Sequence, residues 1–297
     1  MLLPAALALF AVAQSPAAKP FEFKDGDRVV WIGNTLVERE QRYGYWETAL
    51  LAANADKKIT VRNLGWSGDT VYAEARGRFD FDKPDVCLKQ LVSLTLELKP
   101  TVIFISYGTN ESFEGKEGVP KFEKGLERLL DALKPANARI VLFPPMPFEA
   151  GVPEERNKNL ALYAEAIRKV AEKRSVGFID PGLYLKQQLA SLPASVRLTE
   201  NGMHLTEEGY RITTPAVVAS FGLPMTRLDW KELEPLRQAV IAKNQLFFYR
   251  WRPQNETYLF GFRKHEQGKN AKEVAEFDPL VSKAEDEIEK IRKTLTK

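Results

Sequence analysis

The stretch Arg28–Glu40, RVVWIGNTLVERE, decides the reading of the fold. Its first half, Val29-Val30-Trp31-Ile32, is a run of β-branched and aromatic residues with no polar face, the pattern of a strand buried on both sides. The run stops at Gly33, and the polar pair Asn34-Thr35 precedes a helical segment. Open α/β sheets keep their ligands in the loops at the carboxyl ends of their strands, so this strand delivers the Thr35 hydroxyl to a candidate site.

The same punctuation recurs along the chain. Residues 59–64 (ITVRNL), 101–106 (TVIFIS), 139–143 (RIVLF) and 176–179 (VGFI) read as further strands, with helical patterns near 44–54, 85–98, 119–134, 157–173 and 207–220. The strands are short, apolar on both faces and never joined by hairpin turns. These features predict a five-stranded parallel sheet with helices on both faces, a three-layer α/β/α sandwich wound by right-handed crossovers. The sandwich is assigned to residues 19–224, and residues 225–297 to a mainly helical C-terminal extension.

Length and composition agree with a packed globular protein, since 297 residues with 44% hydrophobic content can bury a large core. Forty-three basic and 40 acidic side chains are interspersed to a net charge of +3, which leaves no electrostatic footprint for nucleic acid. Residues 1–18 contain the apolar run LLPAALALFAVA, and Ala11-Val12-Ala13 has the small-x-small form of a signal peptidase site. The expectation is a cleaved signal peptide, a mature chain starting near Gln14, and a secreted or periplasmic protein with no stable membrane insertion. No Lys or Arg precedes the apolar run, which keeps an uncleaved anchor as the alternative, although the run is short for a bilayer span. Cys87 is the only cysteine, so no internal disulfide forms, and its apolar neighbours place it in the core. No metal cluster or phosphate loop is evident, and no cofactor is expected.

Three predicted strand ends carry small or polar residues: Gly33-Asn34-Thr35, Gly65-Trp66-Ser67-Gly68-Asp69-Thr70 and Tyr107-Gly108-Thr109-Asn110-Glu111-Ser112. A fourth piece, Asn201-Gly202-Met203-His204, precedes the last sandwich helix and supplies one of two histidines. These pieces, in this order, resemble the sequence blocks of the SGNH (GDSL-like) hydrolases, esterases and lipases that include many carbohydrate O-acetylesterases. The resemblance spans roughly residues 28–221 and implies a flavodoxin-like sheet. It further implies that Thr35 stands at the nucleophile position, that Gly68 and Asn110 donate to the oxyanion, that His204 is the base and that Asn201 occupies the place of the triad acid.

Two of these residues depart from the family, which has Ser and Asp where this chain has Thr35 and Asn201. A threonine attacks more slowly because its methyl stiffens χ1 and crowds the carbonyl. An asparagine can orient a histidine but lacks the charge that stabilises imidazolium, a change that costs about ten-thousand-fold in serine proteases. Glu200, Asp180 and Glu111 are candidate replacement carboxylates. Thr35 also reads as a helix cap, Asn110 as a turn residue, and Ser67 or Ser112 as substitute nucleophiles. Glu111 or Asp69 acting as a general base is a third chemistry.

The implied substrate is a small-molecule or polysaccharide ester, and the rival is an inactive relative that binds a carbohydrate or partner protein through the same crevice. Met146 and Phe148 in the proline-rich stretch 144–159 are expected to border an acyl or sugar pocket, and Arg39, Arg42, Tyr43 and Tyr45 its entrance. In the extension, a helix from Trp230 to about Asn244 leads into an aromatic segment. That segment either packs on the sandwich or offers Trp251 or Tyr258 as a sugar platform. A final helix with Leu280, Ala284, Ile288, Ile291 and Leu295 on one stripe docks on its own chain or on a protein partner.

Overall fold

A computed structural model describes residues 21–77, 80, 82–149, 151–189, 193, 195–223 and 229–295. The expected leader, residues 1–18, and the boundary expected at 224–225 lie outside the described residues. Strands β1 (Asp27–Gly33), β2 (Ile59–Asn63), β3 (Val102–Ser106), β4 (Arg139–Phe143) and β5 (Gly177–Phe178) form one sheet in the order β2-β1-β3-β4-β5, every neighbouring pair parallel. This is the expected sandwich with flavodoxin-type strand order. The order reverses at β1, so the switch point where such sheets bind ligands lies between the carboxyl ends of β1 and β3.

Strand side chains alternate between two cores. Val30, Ile32, Ile103, Ile105 and Leu142 pack under α3 (Pro84–Glu97), α4 (Val119–Leu133) and α5 (Glu154–Arg174), and Cys87 is buried among them. Val29, Trp31, Val102, Phe104 and Phe143 pack under α1 (Thr35–Tyr43), α2 (Tyr45–Ala53) and α7 (Glu207–Ser220). The helix expected at 44–54 is α2, and α1 precedes it. The break is Gly44, whose φ of +66° ends α1 while its N–H still donates to Glu40 O at 2.7 Å. A short helix, α6 (Gly182–Leu189), follows β5.

The extension is built onto the sandwich. Helix α8 (Trp230–Trp251) runs past the end expected near Asn244, contributing Leu236 and Val240 to one core and Phe247 and Trp251 to the other. Midway, Lys243 Nζ donates to Glu47 Oε1 at 2.7 Å and to the Val61 carbonyl of edge strand β2 at 2.6 Å. Asn244 Nδ2 donates to the other Glu47 oxygen at 2.9 Å. After the short helices α9 (Glu256–Leu259) and α10 (Lys264–Gln267), α11 (Phe277–Thr294) lies against α8. Its apolar stripe is shifted from the expected one: Val281 and Ile288 are buried, whereas Leu280 is 48% exposed. Buried Arg292 joins that face and donates to the Asn54 carbonyl at 2.6 Å. Trp251, 4% exposed, is not open to stack on a sugar, and the Tyr258 ring lies against the Arg263 guanidinium.

Candidate active site

Glycine is required where β1 ends, because a Cβ on Gly33 would lie 2.6 Å from both Ser106 O and Val37 Cγ2. Asn34 caps α1, its Oδ1 accepting from Leu36 N–H at 3.1 Å. The capping role read for Thr35 therefore belongs to its neighbour. Thr35 is the first residue of α1, and its hydroxyl accepts the Gly68 N–H at 3.0 Å. Gly68 has φ +77°, a backbone conformation that aims this N–H across the crevice and that L side chains rarely adopt.

The loop carrying Gly68 is gripped from several sides. Gly65 lies so close to α1 that a Cβ there would be 2.3 Å from Glu38 N. The buried Glu38 carboxylate accepts from Ser67 N–H, and from Arg252 Nη1 at 2.8 Å. The Arg252 guanidinium also lies 3.6 Å from the Trp66 ring centroid, a cation–π contact. Arg252 ends α8, so the extension reaches the loop that presents Gly68.

Behind the crevice, Asp69 Oδ2 accepts from Arg76 Nε at 2.6 Å and from Tyr107 OH at 2.8 Å, all three side chains fully buried. Asp69 is thus a structural ion pair and not an open base. Its backbone carbonyl accepts from Asn110 Nδ2 at 2.8 Å. One of the two amide protons of Asn110 is used there, and the other has no partner among the described residues. Glu111 ties this loop to the last, accepting from Val71 N–H and Gly108 N–H, both at 2.9 Å. Burial raises its pKa to about 7, opposed by those backbone hydrogen bonds. Ser112 is buried and donates to the Thr109 carbonyl at 2.7 Å, which removes it as a nucleophile.

Helix α7 carries the histidine loop to this place. Thr206 caps it, accepting from Gly209 N–H at 3.0 Å, and Tyr210 OH donates to the Leu36 carbonyl at 2.6 Å. Within the loop, Asn201 Oδ1 accepts the backbone N–H of Met203 at 3.2 Å and of His204 at 3.0 Å. Its amide nitrogen lies 3.2 Å from His204 Nδ1. The two backbone donors fix which end of the amide is oxygen, so the NH2 faces the ring and selects the tautomer protonated at Nε2. Burial lowers the His204 pKa, and the Arg39 charge lowers it further against the pull of Glu200.

No hydrogen bond joins Thr35 to His204 among the described residues. No carboxylate of the candidate replacement acids hydrogen-bonds the His204 ring there either, although the Glu200 backbone N–H donates to the His204 carbonyl at 2.9 Å. Glu200 pairs with Arg39, Asp180 Oδ1 accepts from Gly182 N–H at 2.7 Å, and Glu111 is spent on backbone donors. Of the expected entrance residues, Arg39 sits beside the histidine loop, while Tyr45 is buried against Trp230. Met146 and Phe148 line a cleft of ≈ 500 Å³ whose wall also includes Leu36 and Met203, the neighbours of Thr35 and His204.

The model of the GDSL-like lipase/acylhydrolase family matches residues 26–212, the stretch holding Thr35, Gly68, Asn110, Asn201 and His204. The chain belongs to that family. No curated protein sequence matches it significantly. Among solved structures, LAE5, an α/β hydrolase enzyme from the metagenome of Lake Arreo, Spain, is similar at 19% identity and TM-score 0.54, covering 68% of this chain and 97% of that one. Axe2, an acetylxylan esterase from Geobacillus stearothermophilus, is similar at 20% identity and TM-score 0.52, covering 69% and 98%. At these identities the likeness is one of fold. The family match ends before α8, so the part of this GDSL-like protein that supplies Arg252 lies beyond it.

Proposed function

We propose that the chain hydrolyses esters slowly, with Thr35 Oγ1 as nucleophile, on O-acyl groups carried by a carbohydrate. The observation that carries this reading is the 3.0 Å contact between the Thr35 hydroxyl and the Gly68 N–H. An attacking oxygen held beside a backbone donor places the acyl carbon's own oxygen within reach of that donor and of the second Asn110 proton. As the tetrahedral intermediate forms, the Gly68 N–H exchanges the hydroxyl for the oxyanion. His204 Nε2 takes the threonine proton once its own proton has moved to Nδ1. Asn201 opposes that move because its NH2 would then face an N–H, and the slow rate follows from this clash. The carbohydrate assignment draws on the acetylxylan esterases that share the fold, in which catalytic mutants alter a serine, and an aspartate and histidine spaced as Asn201 and His204 are.

The orientation of the Asn201 amide favours a second reading, in which the crevice binds an acylated carbohydrate without cleaving it. With its proton on Nε2, His204 donates to a ligand and does not accept from Thr35. Hydrolysis of p-nitrophenyl esters and acetylated sugars by the full chain, beside Thr35→Ala and His204→Ala, separates the two. Turnover that disappears in both variants supports the esterase. Turnover absent from the parent, or unchanged in the variants, selects the binding protein.

A further inference from the structure

Four consecutive amides of the loop after β2 are held, each by a different partner. Trp66 N–H donates to the Gly33 carbonyl at 3.0 Å, Ser67 N–H to the Glu38 carboxylate, Gly68 N–H to the Thr35 hydroxyl at 3.0 Å and Asp69 N–H to the Trp66 carbonyl at 3.1 Å. The Ser67 contact is the one that depends on charge, because the Glu38 side chain is 5% exposed and a buried carboxylate needs a cation. Arg252 Nη1 supplies it at 2.8 Å, on the same oxygen that accepts from Ser67. Arg42 reaches only the other oxygen, at 3.7 Å, from an exposed position. The Arg252 guanidinium also fixes the loop's largest side chain. It lies 3.6 Å from the Trp66 ring centroid, with Arg76 over the same ring at 5.6 Å and the Trp251 ring in edge contact at 5.7 Å.

Nothing packs on Gly68 itself, since a Cβ there would meet no atom within 4 Å. Its N–H is therefore aimed by the residues on either side and by the Thr35 hydroxyl, which leaves it when an oxyanion forms. At that moment the neighbours alone hold the donor, and a donor that needs no rearrangement is worth most. A shift of this loop would displace the second donor too, because Asn110 Nδ2 hangs on the Asp69 carbonyl at 2.8 Å. We propose that Arg252 is a positioning residue for the oxyanion site: through Glu38 and Trp66 it holds the backbone of residues 66–69 so that the Gly68 N–H keeps its direction after the Thr35 hydroxyl has gone. The C-terminal extension thereby completes the site from outside the stretch that the family model matches. The role rests on the esterase reading for what the donor stabilises, and on these contacts alone for the clamp.

Two measurements on the full chain keep those claims apart. Amide hydrogen exchange reads the clamp without turnover, and kcat and KM for p-nitrophenyl acetate read the reaction. In Arg252→Leu the amides of residues 66–69 are expected to exchange about tenfold faster, while those of residues 233–243 in α8 keep the parent's protection. There kcat should fall about tenfold or more with KM within about twofold, the mark of a contact that matters only in the transition state. Arg252→Lys still pairs with Glu38 and should lie between parent and leucine variant on both readouts. Should Arg252→Leu fail to fold because Glu38 is stranded, Arg252→Leu combined with Glu38→Gln removes the stranded charge and carries the same expectation. Protection of 66–69 unmoved, faster exchange spread evenly along α8, or a raised KM at unchanged kcat would overturn the role. Loosened 66–69 amides in a chain that hydrolyses no ester keep the clamp and remove the esterase; turnover lost in Thr35→Ala but indifferent to Arg252→Leu does the reverse.

Discussion

At Asn201 the exchange of a carboxylate for an amide decides which nitrogen of His204 carries the proton. The backbone N–H groups of Met203 and His204 hold Oδ1, and only the NH2 is left for the ring. Asn201→Asp restores an acceptor at Nδ1 and is expected to raise kcat by two to four orders of magnitude, with Thr35→Ser adding to it. Because burial and Arg39 lower the His204 pKa, the acid limb of kcat/KM should fall below the ordinary histidine value of about 6.5. An unchanged kcat in Asn201→Asp would mean that the tautomer is not what limits the site. Thr35, Gly68, Asn110 and His204 stand out in the sequence because each lies beside a strand end or helix start that announces itself in a few residues, and the family resemblance supplies their implied roles. Arg252 does not, because its partners Glu38 and Trp66 lie some two hundred positions away and no local pattern links them.

Among the elements, α8 does most to join the extension to the sandwich, and its anchor is a buried charge pair. Lys243 and Glu47 are 1% and 2% exposed, and the ammonium also satisfies the Val61 carbonyl on edge strand β2. Removing one partner of such a pair strands the other charge away from water. Lys243→Met should therefore destabilise the fold by about 3–5 kcal/mol in urea unfolding. Adding Glu47→Gln, which deletes the stranded charge, should recover more than half of that loss; no recovery would show that the aliphatic contacts of Lys243 matter more than its charge. The sequence predicts an end to this helix near Asn244 because the aromatic and basic run that follows shows no clear helical period, though packing on the sandwich is one of the readings it offers for that run. Phe247 and Trp251 are such core residues, and their helical spacing was masked by Tyr249 and Arg250 on the outer side.

For the whole molecule, the parallel sheet was readable because both of its faces are covered, which makes each strand a continuous apolar run with no competing period. The same burial traps carboxyl groups. Glu40 and Glu111 both have pKa values raised to about 7, Glu40 by burial and then by the charge of neighbouring Glu47. A group with a folded pKa above its unfolded value near 4.5 keeps a proton that the unfolded chain has released. The stability it contributes is full below about pH 4.5 and is lost as pH rises through about 7, on the order of 3 kcal/mol per group over the full span. Glu40→Gln retains the acceptor for Trp46 N–H and Glu47 N–H, so it should remove about half of the decline in unfolding free energy between pH 5 and pH 8. A variant with the parent's slope would place Glu40 in its ordinary range.

Ester hydrolysis at this site depends on the hydroxyl of Thr35, and covalent capture reads it most directly. Treating the full chain with a fluorophosphonate and mapping the adduct by peptide mass spectrometry is predicted to find a single label on Thr35, absent in Thr35→Ala and slowed in His204→Ala. A label on Ser67, or none on Thr35 in a preparation that turns over esters, would contradict it.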